Sequence, residues 1–172
     1  MFWHYTSANN YISIANDGLI LPATTYVPVG EKPIVWFSTE QFWEPTSAKA
    51  CHRPDGTLQL LTLDGMLKRN ILPIRIGVDS TAAPYRWSDL KSLSRMSSET
   101  ARSLASSAKR MGAHPSRWRG TFEAVCVEKW RTIEYYNGRE WAPLEYKNPV
   151  SPEALERTGE SLTCCLPALM NQ

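Results

Sequence analysis

Apolar and polar positions follow regular periods along the chain, and the first predicted helix begins after Ser7. A serine at that point can accept a hydrogen bond from an orphan N–H group of the first helical turn. The apolar residues after it recur on one helical face (Tyr11, Ile12 and Ala15). Gly18 is predicted to end this helix, because the residue after a helix often adopts a left-handed conformation.

Six segments have the composition or the alternation of strands. Asn137-Gly138 is the strongest short-range hairpin signal, and an apolar segment lies on each side of it. In one segment, Arg75 and Asp79 occupy the polar positions. The predicted strands are 3–6, 33–38, 71–78, 119–127, 130–136 and 140–144.

Three further segments, 46–51, 87–93 and 97–111, favour helices. The last is the clearest, with a serine cap at Ser97 or Ser98, an acidic residue in the first turn and two basic residues in the last. The order of strands and helices predicts an α+β domain, whose core is a largely antiparallel sheet with flanking helices.

The length of 172 residues suits one globular domain, which we place at 1–147. Residues 148–172 are turn-rich and are predicted to form an appendage that packs on this domain or stays partly flexible, with a possible helix at 152–157. No apolar run approaches the roughly 18 residues that cross a bilayer. The first residues lack the pattern of a signal peptide, so we expect a cytoplasmic protein without membrane contact.

The four cysteines contain no C-x-x-C pair, so we expect reduced thiols and no metal site. They are Cys51, Cys126, Cys164 and Cys165. The chain also lacks G-x-S-x-G, P-loop and H-E-x-x-H sequences, which removes the commonest motif evidence for those hydrolase, nucleotide and zinc sites.

Positive charge is concentrated in residues 84–120. This segment contains eight basic and two acidic residues, a net charge of +6, whereas the whole chain has a net charge of +2. Two interpretations remain open: a surface for an anionic partner, or an ordinary solvated helix face.

Candidate chemistry begins at His4, in the short strand Trp3-His4-Tyr5-Thr6. A lone histidine there is more often a half-buried, hydrogen-bonded residue than part of a site. Three other features of the sequence change this assessment. The strand leads into a helix that ends at Gly18. The stretch Val35-Trp36-Phe37-Ser38-Thr39 is followed by Thr46-Ser47-Ala48-Lys49-Ala50, and Glu123 begins a late apolar stretch.

These three pieces, in this order, resemble the motifs of ADP-ribosyltransferases of the histidine–aromatic–glutamate type. That family includes bacterial toxins and the catalytic domains of poly-ADP-ribose polymerases. The resemblance covers about 2–50 and 120–136, and residues 51–119 match nothing in it. It implies a split, largely antiparallel sheet that binds NAD as a co-substrate.

The resemblance also implies roles for individual residues. Glu123 would stabilise the oxocarbenium-like ribosyl cation that forms as nicotinamide leaves, and His4 would hold ribose hydroxyls through its ring N–H. Trp36 would stack on the nicotinamide, although the family usually has tyrosine there, and Ser38 would bind the carboxamide. The NAD-binding residues implied in this way are His4, Tyr5, Thr6, Trp36, Phe37 and Ser38.

Several alternatives stay open at this point. Glu128 and Glu134 compete with Glu123, which we prefer because it opens a strand, whereas Glu134 is expected to point to solvent. Glu44 lines the cleft, or pairs with Lys49 beside the next helix. The residues that would line an acceptor or diphosphate site are Trp43, Arg117, Trp118 and Arg119.

The leading hypothesis is an NAD-dependent mono-ADP-ribosyltransferase, of the kind found in toxin–antitoxin or phage-conflict systems. The acceptor is unknown, with RNA or DNA favoured over protein because of the +6 segment, and an antitoxin or immunity protein is a possible partner. One alternative is an NAD glycohydrolase or phosphorylase that uses the same site. Another is a non-catalytic interaction module with a basic patch.

Overall fold

A computed structural model describes residues 1–145 as helices packed on a mostly antiparallel sheet, which is an α+β architecture. The predicted appendage and the helix at 152–157 lie outside the described residues. The helices are α1 (Ala8–Asp17), α2 (Leu63–Lys68), α3 (Trp87–Leu93) and α4 (Ser98–Arg110). The strands are β1 (Phe2–Ser7), β2 (Leu19–Ile20), β3 (Val35–Ser38), β4 (Ala50–His52), β5 (Leu58–Leu60), β6 (Pro73–Val78), β7 (Tyr85–Arg86), β8 (Trp118–Thr121), β9 (Val125–Cys126), β10 (Trp130–Tyr136) and β11 (Trp141–Pro143).

Seven strands form the main sheet, in the order β11-β10-β6-β1-β3-β8-β7, and every neighbouring pair is antiparallel. Strand β1 pairs with β6 along all six of its residues. It pairs with β3 at one register position only, Trp3 opposite Ser38. The register between β1 and β3 is therefore much shorter than that between β1 and β6.

The two faces of the sheet have different chemistry, because successive side chains on a strand point to opposite sides. One face, which we call the core face, contacts α1 and carries the main apolar cluster, including Phe37, Ile74, Ile76 and Val78. The opposite face, which we call the aromatic face, carries Trp3, Tyr5 and Arg75 in one region and Trp36 and Trp118 in another.

Local signals predicted several elements correctly. Gly18 ends α1 in the left-handed conformation, with φ of 65°. The Ser97 hydroxyl accepts a hydrogen bond from the Thr100 N–H (3.0 Å) and so caps α4. The hairpin of β10 and β11 turns at Asn137-Gly138, where the Asn137 side chain accepts from two backbone N–H groups. The prediction for Ser7 was only half correct: it precedes α1, but its hydroxyl makes no capping bond.

Two element predictions were wrong. Residues 46–51 do not form a helix; a single 3₁₀ turn at Pro45–Ser47 is followed by β4. The strand predicted over 119–127 is broken after Thr121, whose Oγ1 accepts a hydrogen bond from the Glu123 N–H (3.3 Å). This local side-chain bond bends the backbone, so β9 leaves the main sheet and pairs with β2.

Gly120 occupies a position where a side chain does not fit. A Cβ at this residue would lie 2.8 Å from Ile34 Cγ2 and 2.9 Å from the Val35 carbonyl oxygen, which is backbone and cannot rotate away. We expect Gly120→Ala to destabilise the protein by about 1–3 kcal/mol, as overpacked cores do. Urea unfolding measures this change, and an unaltered midpoint would show that β3 and β8 are less tightly packed than described.

Candidate functional site

The first two segments that suggested a site lie on adjacent strands of the main sheet, and the third begins just after the next strand. Strand β1 carries His4, its neighbour β3 carries Trp36 and Ser38, and the next strand, β8, leads into Glu123. About 30 residues separate the first segment from the second, and about 80 separate the second from the third. The fold therefore brings together what the sequence keeps far apart.

His4 lies on β1, next to the single register pair that joins β1 to β3. Its Nδ1 is 2.9 Å from the carbonyl oxygen of Trp36, and its ring meets the edge of Phe37 at 5.7 Å between centroids. A carbonyl oxygen only accepts, so Nδ1 must carry the hydrogen, and in the neutral ring Nε2 is left as an acceptor. The ring N–H of His4 is therefore already used by the Trp36 carbonyl, and the nitrogen that remains, Nε2, can only accept.

The surroundings of His4 keep its ring neutral near pH 7. Burial lowers the pKa of His4 below its ordinary value of 6.5; the Trp36 hydrogen bond opposes this shift, and the charge of Lys49 adds to it. Below pH 6.5 the unfolded chain binds a proton that the folded protein does not yet bind. The free energy of unfolding therefore falls with decreasing pH until the folded pKa is reached.

This shift predicts a pH effect on stability. On acidification from pH 7.5 to 5, wild type should lose up to about 1.4 kcal/mol per pH unit more than His4→Gln, which cannot titrate there. Urea unfolding at several pH values measures the difference. His52→Gln, which removes a histidine from an exposed position, is the matched control variant. Parallel curves for wild type and His4→Gln would contradict a lowered pKa.

The implied NAD-binding residues divide between the two faces of the sheet. His4, Thr6 and Phe37 lie on the core face. Trp36 and Ser38 lie on the aromatic face, as does the Tyr5 side chain. The structure therefore joins His4 to Trp36 through the backbone of β3, and not by a shared surface.

On the aromatic face, both Trp36 and Ser38 already have protein partners. The Trp36 ring contacts the rings of Trp87 and Trp118, at 6.3 and 5.8 Å between centroids. The buried Ser38 hydroxyl donates to the Glu44 carboxylate (2.7 Å). Glu44 also accepts from the hydroxyl and the N–H of Thr46, so it caps the 3₁₀ turn.

A buried arginine dominates the rest of the aromatic face. Arg75 forms an ion pair with Glu134 (Nε to Oε2, 2.6 Å), and its guanidinium lies over the Trp3 and Trp141 rings at 3.9 and 4.6 Å from their centroids. The expectation that Glu134 points to solvent was wrong, because its register position opposite Arg75 turns it toward this charge. The Trp3 indole N–H is buried and has no partner within residues 1–145.

Residues 39–44, called the strap, cover this part of the aromatic face. Three consecutive carbonyls of the strap, from Glu40 to Phe42, accept from sheet side chains: the Tyr5 hydroxyl (2.8 Å), Arg75 and the Trp141 indole (2.6 Å). Trp43 packs on the rings of Tyr5 and Trp141. Burial raises the pKa of the Tyr5 hydroxyl, which therefore stays protonated and keeps donating to the strap.

Glu123 is accessible, but it does not head a strand. It is exposed and lies in the bend between β8 and β9, two residues after Thr121. Thr121 is on the core face, opposite Val35, so the bend lies at the end of the surface that carries His4 and Thr6. Glu128 is also exposed, in the 3₁₀ turn at Val127–Lys129.

The basic and aromatic residues before Glu123 have separate surroundings. Arg117 is exposed and pairs with Glu40 at 2.6 Å, as an exposed connection predicts. Trp118 is buried on the aromatic face against Ala108 and Ala113. Arg119 is on the core face, over the Phe2 ring at 5.5 Å. The three neighbours therefore do not form one binding surface.

Residues 1–145 contain no group of three or more side chains that could ligate a metal ion. Cys51 and Cys126 are free thiols. Within the same residues, no helix has the length and apolar character that crossing a membrane requires.

Comparison with known proteins found no relative of this chain. No family model, no curated protein and no solved structure matches this chain.

Proposed function

We propose that this protein is an NAD-dependent mono-ADP-ribosyltransferase with a split sheet of the ADP-ribosyltransferase type. One observation carries the proposal: the first two motif segments lie on the adjacent strands β1 and β3, where His4 Nδ1 bonds the Trp36 carbonyl, and Glu123 follows β8, the next strand of the sheet. The α+β architecture with an antiparallel sheet agrees with the family's fold class.

The chemistry assigned to the site needs a carboxylate and a neutral acceptor. Loss of nicotinamide leaves positive charge on the ribosyl ring, and a carboxylate beside it stabilises that charge more in the transition state than in the substrate. The exposed Glu123 carboxylate can take this role. His4 Nε2 would accept a hydrogen bond from a ribose hydroxyl while Nδ1 stays on the Trp36 carbonyl.

The division between the two faces constrains how NAD would bind. A nicotinamide on Trp36 and a ribose on His4 can belong to one ligand only if that ligand passes between β1 and β3, which a single register pair joins. Ser38 would bind the carboxamide only after releasing Glu44 or by sharing its hydroxyl with it. The strap bonds to Tyr5, Arg75 and Trp141 and ends at Glu44, so its movement would accompany this release.

An anionic acceptor such as RNA or DNA fits a basic groove between α3 and α4. The groove is lined by serine hydroxyls, two cationic side chains and two apolar residues, and its hydroxyl and cationic groups are donors that suit phosphate oxygens. Its residues are Ser88, Lys91, Ser92, Met96, Ser98, Ala101 and Arg102. An antitoxin or immunity protein with an acidic surface would compete for the same groove. A toxin or phage-conflict role rests on the resemblance alone.

The test uses NAD labelled on its adenylate, incubated with the protein alone and with total RNA, DNA or lysate protein. Transfer of label to one fraction, with release of nicotinamide, supports the transferase and identifies the acceptor class. Nicotinamide release without a labelled macromolecule favours the hydrolase or phosphorylase that uses the same site. If NAD neither binds nor turns over, the enzyme proposal fails and a non-catalytic interaction module remains.

A further inference from the structure

Two arginines face each other across an edge of the main sheet. Arg119 on β8 is directly opposite Arg86 on β7, the last strand of the sheet. Like charges at directly opposed positions of an antiparallel pair are destabilising. Within residues 1–145, neither guanidinium forms an ion pair with a carboxylate. The fold therefore holds two positive charges together without an acidic partner in this part of the chain.

Neighbouring acidic groups do not neutralise this pair. The nearest in sequence, Asp89, accepts hydrogen bonds from the Arg86 backbone N–H (3.1 Å) and from the Ser88 hydroxyl. Burial lowers the pKa of the Arg119 guanidinium, and the charge of Arg86 lowers it further. Arg119 is also held in place, because one of its terminal nitrogens donates to the carbonyls of Ser116 and Trp118. This arrangement is preorganised for an anion.

We propose that Arg86 and Arg119 form a binding site for a diphosphate group. Two adjacent guanidiniums present several N–H donors to phosphate oxygens, and an anion between them would replace their repulsion with attraction. Arg86 is exposed and Arg119 is half-buried over Phe2, so the site opens to solvent at the sheet edge. The sequence suggested Arg119 for such a role, together with Arg117 and Trp118. The strand register instead places Arg86 directly opposite Arg119, so the proposed site consists of these two arginines.

The location of the pair relates it to the proposed catalytic surface. Arg119 is opposite Phe37, which contacts the His4 ring, so the arginines and His4 share the core face. The backbones of His4 and Arg119 are two strand spacings apart, which is about 10 Å. The site would thus hold the diphosphate of NAD; this identification of the source rests on the proposed function, whereas anion binding does not.

The first measurement is titration of the full chain with inorganic pyrophosphate by calorimetry at low ionic strength. Wild type is expected to bind, and Arg86→Gln and Arg119→Gln should each weaken binding by about 10-fold or more, as loss of a charge-assisted hydrogen bond does. The controls are Arg95→Gln and Arg110→Gln, which remove the same charge from exposed positions of the same basic segment outside the groove between α3 and α4. The controls should bind within about twofold of wild type, because screened charges that do not touch the ligand contribute little.

Equal weakening in all four variants would overturn the site, since it would reflect overall charge; so would the absence of pyrophosphate binding by wild type. A second measurement verifies the fold of the variant: Arg86→Gln should unfold at the same or a higher temperature than wild type, because the repulsion between the two arginines is removed.

NAD and a short single-stranded oligonucleotide are then titrated into wild type and the variants. Weakening confined to NAD assigns the site to the co-substrate, and weakening confined to the oligonucleotide assigns it to acceptor phosphates. Pyrophosphate binding by a protein that does not turn over NAD would refute the proposed function and leave this site intact.

Discussion

Replacing Glu123 with glutamine should lower the rate of nicotinamide release by about 10²–10³-fold, the usual cost of removing one group that stabilises transition-state charge. The substitution keeps the size of the side chain and removes only its negative charge. Because Glu123 is exposed and bonded to Thr121 only through its backbone N–H, folding should be unchanged. Turnover of labelled NAD at saturating concentration gives the rate, and thermal unfolding verifies the fold.

Matched variants at the two competing glutamates make this result interpretable. Glu128→Gln alters an equally exposed carboxylate and should retain wild-type turnover. Glu134→Gln weakens the ion pair with Arg75 on the opposite face from His4, so it should reduce stability more than turnover of the folded protein. If turnover falls in Glu134→Gln and persists in Glu123→Gln, the catalytic carboxylate lies on the aromatic face, and the assignment of Glu123 is wrong.

Loss of the Arg75 charge should destabilise the protein more than loss of any exposed charge on its surface. In Arg75→Met the Glu134 carboxylate, whose side chain is 16% exposed, remains without its cation. The strap carbonyl of Gln41 and the rings of Trp3 and Trp141 lose their contacts with the guanidinium as well. Breaking a buried ion pair by removal of one partner costs about 3–5 kcal/mol.

A second ion pair in the same protein provides the control. Arg131 and Asp79 also form an ion pair, but their side chains are 54% and 47% exposed. Arg131→Met should therefore cost much less stability than Arg75→Met, because exposed ion pairs contribute little. Urea unfolding of the two variants compares the pairs directly. Equal losses of stability would show that the strap does not shield Arg75 from water.

The elements that the sequence predicted correctly depend on interactions over a few residues. The cap at Ser97, the left-handed Gly18 and the turn at Asn137-Gly138 each satisfy backbone groups nearby, so their chemistry is visible in a short window. Residues 46–51, which lack such a signal, were wrongly predicted as a helix. The strap that precedes them is held by Tyr5 and Arg75, which are more than 30 residues away in the sequence.

For the candidate site, the sequence suggested the residue types but not the positions of their side chains. Sequence resemblance pointed to His4, Trp36 and Glu123, but residue types do not determine which face of the sheet each side chain occupies. A shift of one residue in strand register exchanges the two faces. Only the observed register places His4 with Phe37 on the core face and Trp36 on the opposite face.

Local hydrogen bonds and side-chain periodicity specify the α+β class, the limits of α4 and the hairpin of β10 and β11, so these could be predicted from the sequence. Only the folded sheet shows that β1, β3 and β8 are neighbours, that Arg75 is buried against Glu134, and that Arg86 opposes Arg119. Those relations depend on pairing between strands that are distant in the chain. Such pairing is determined by the packing of the whole sheet, and no short stretch of sequence encodes it.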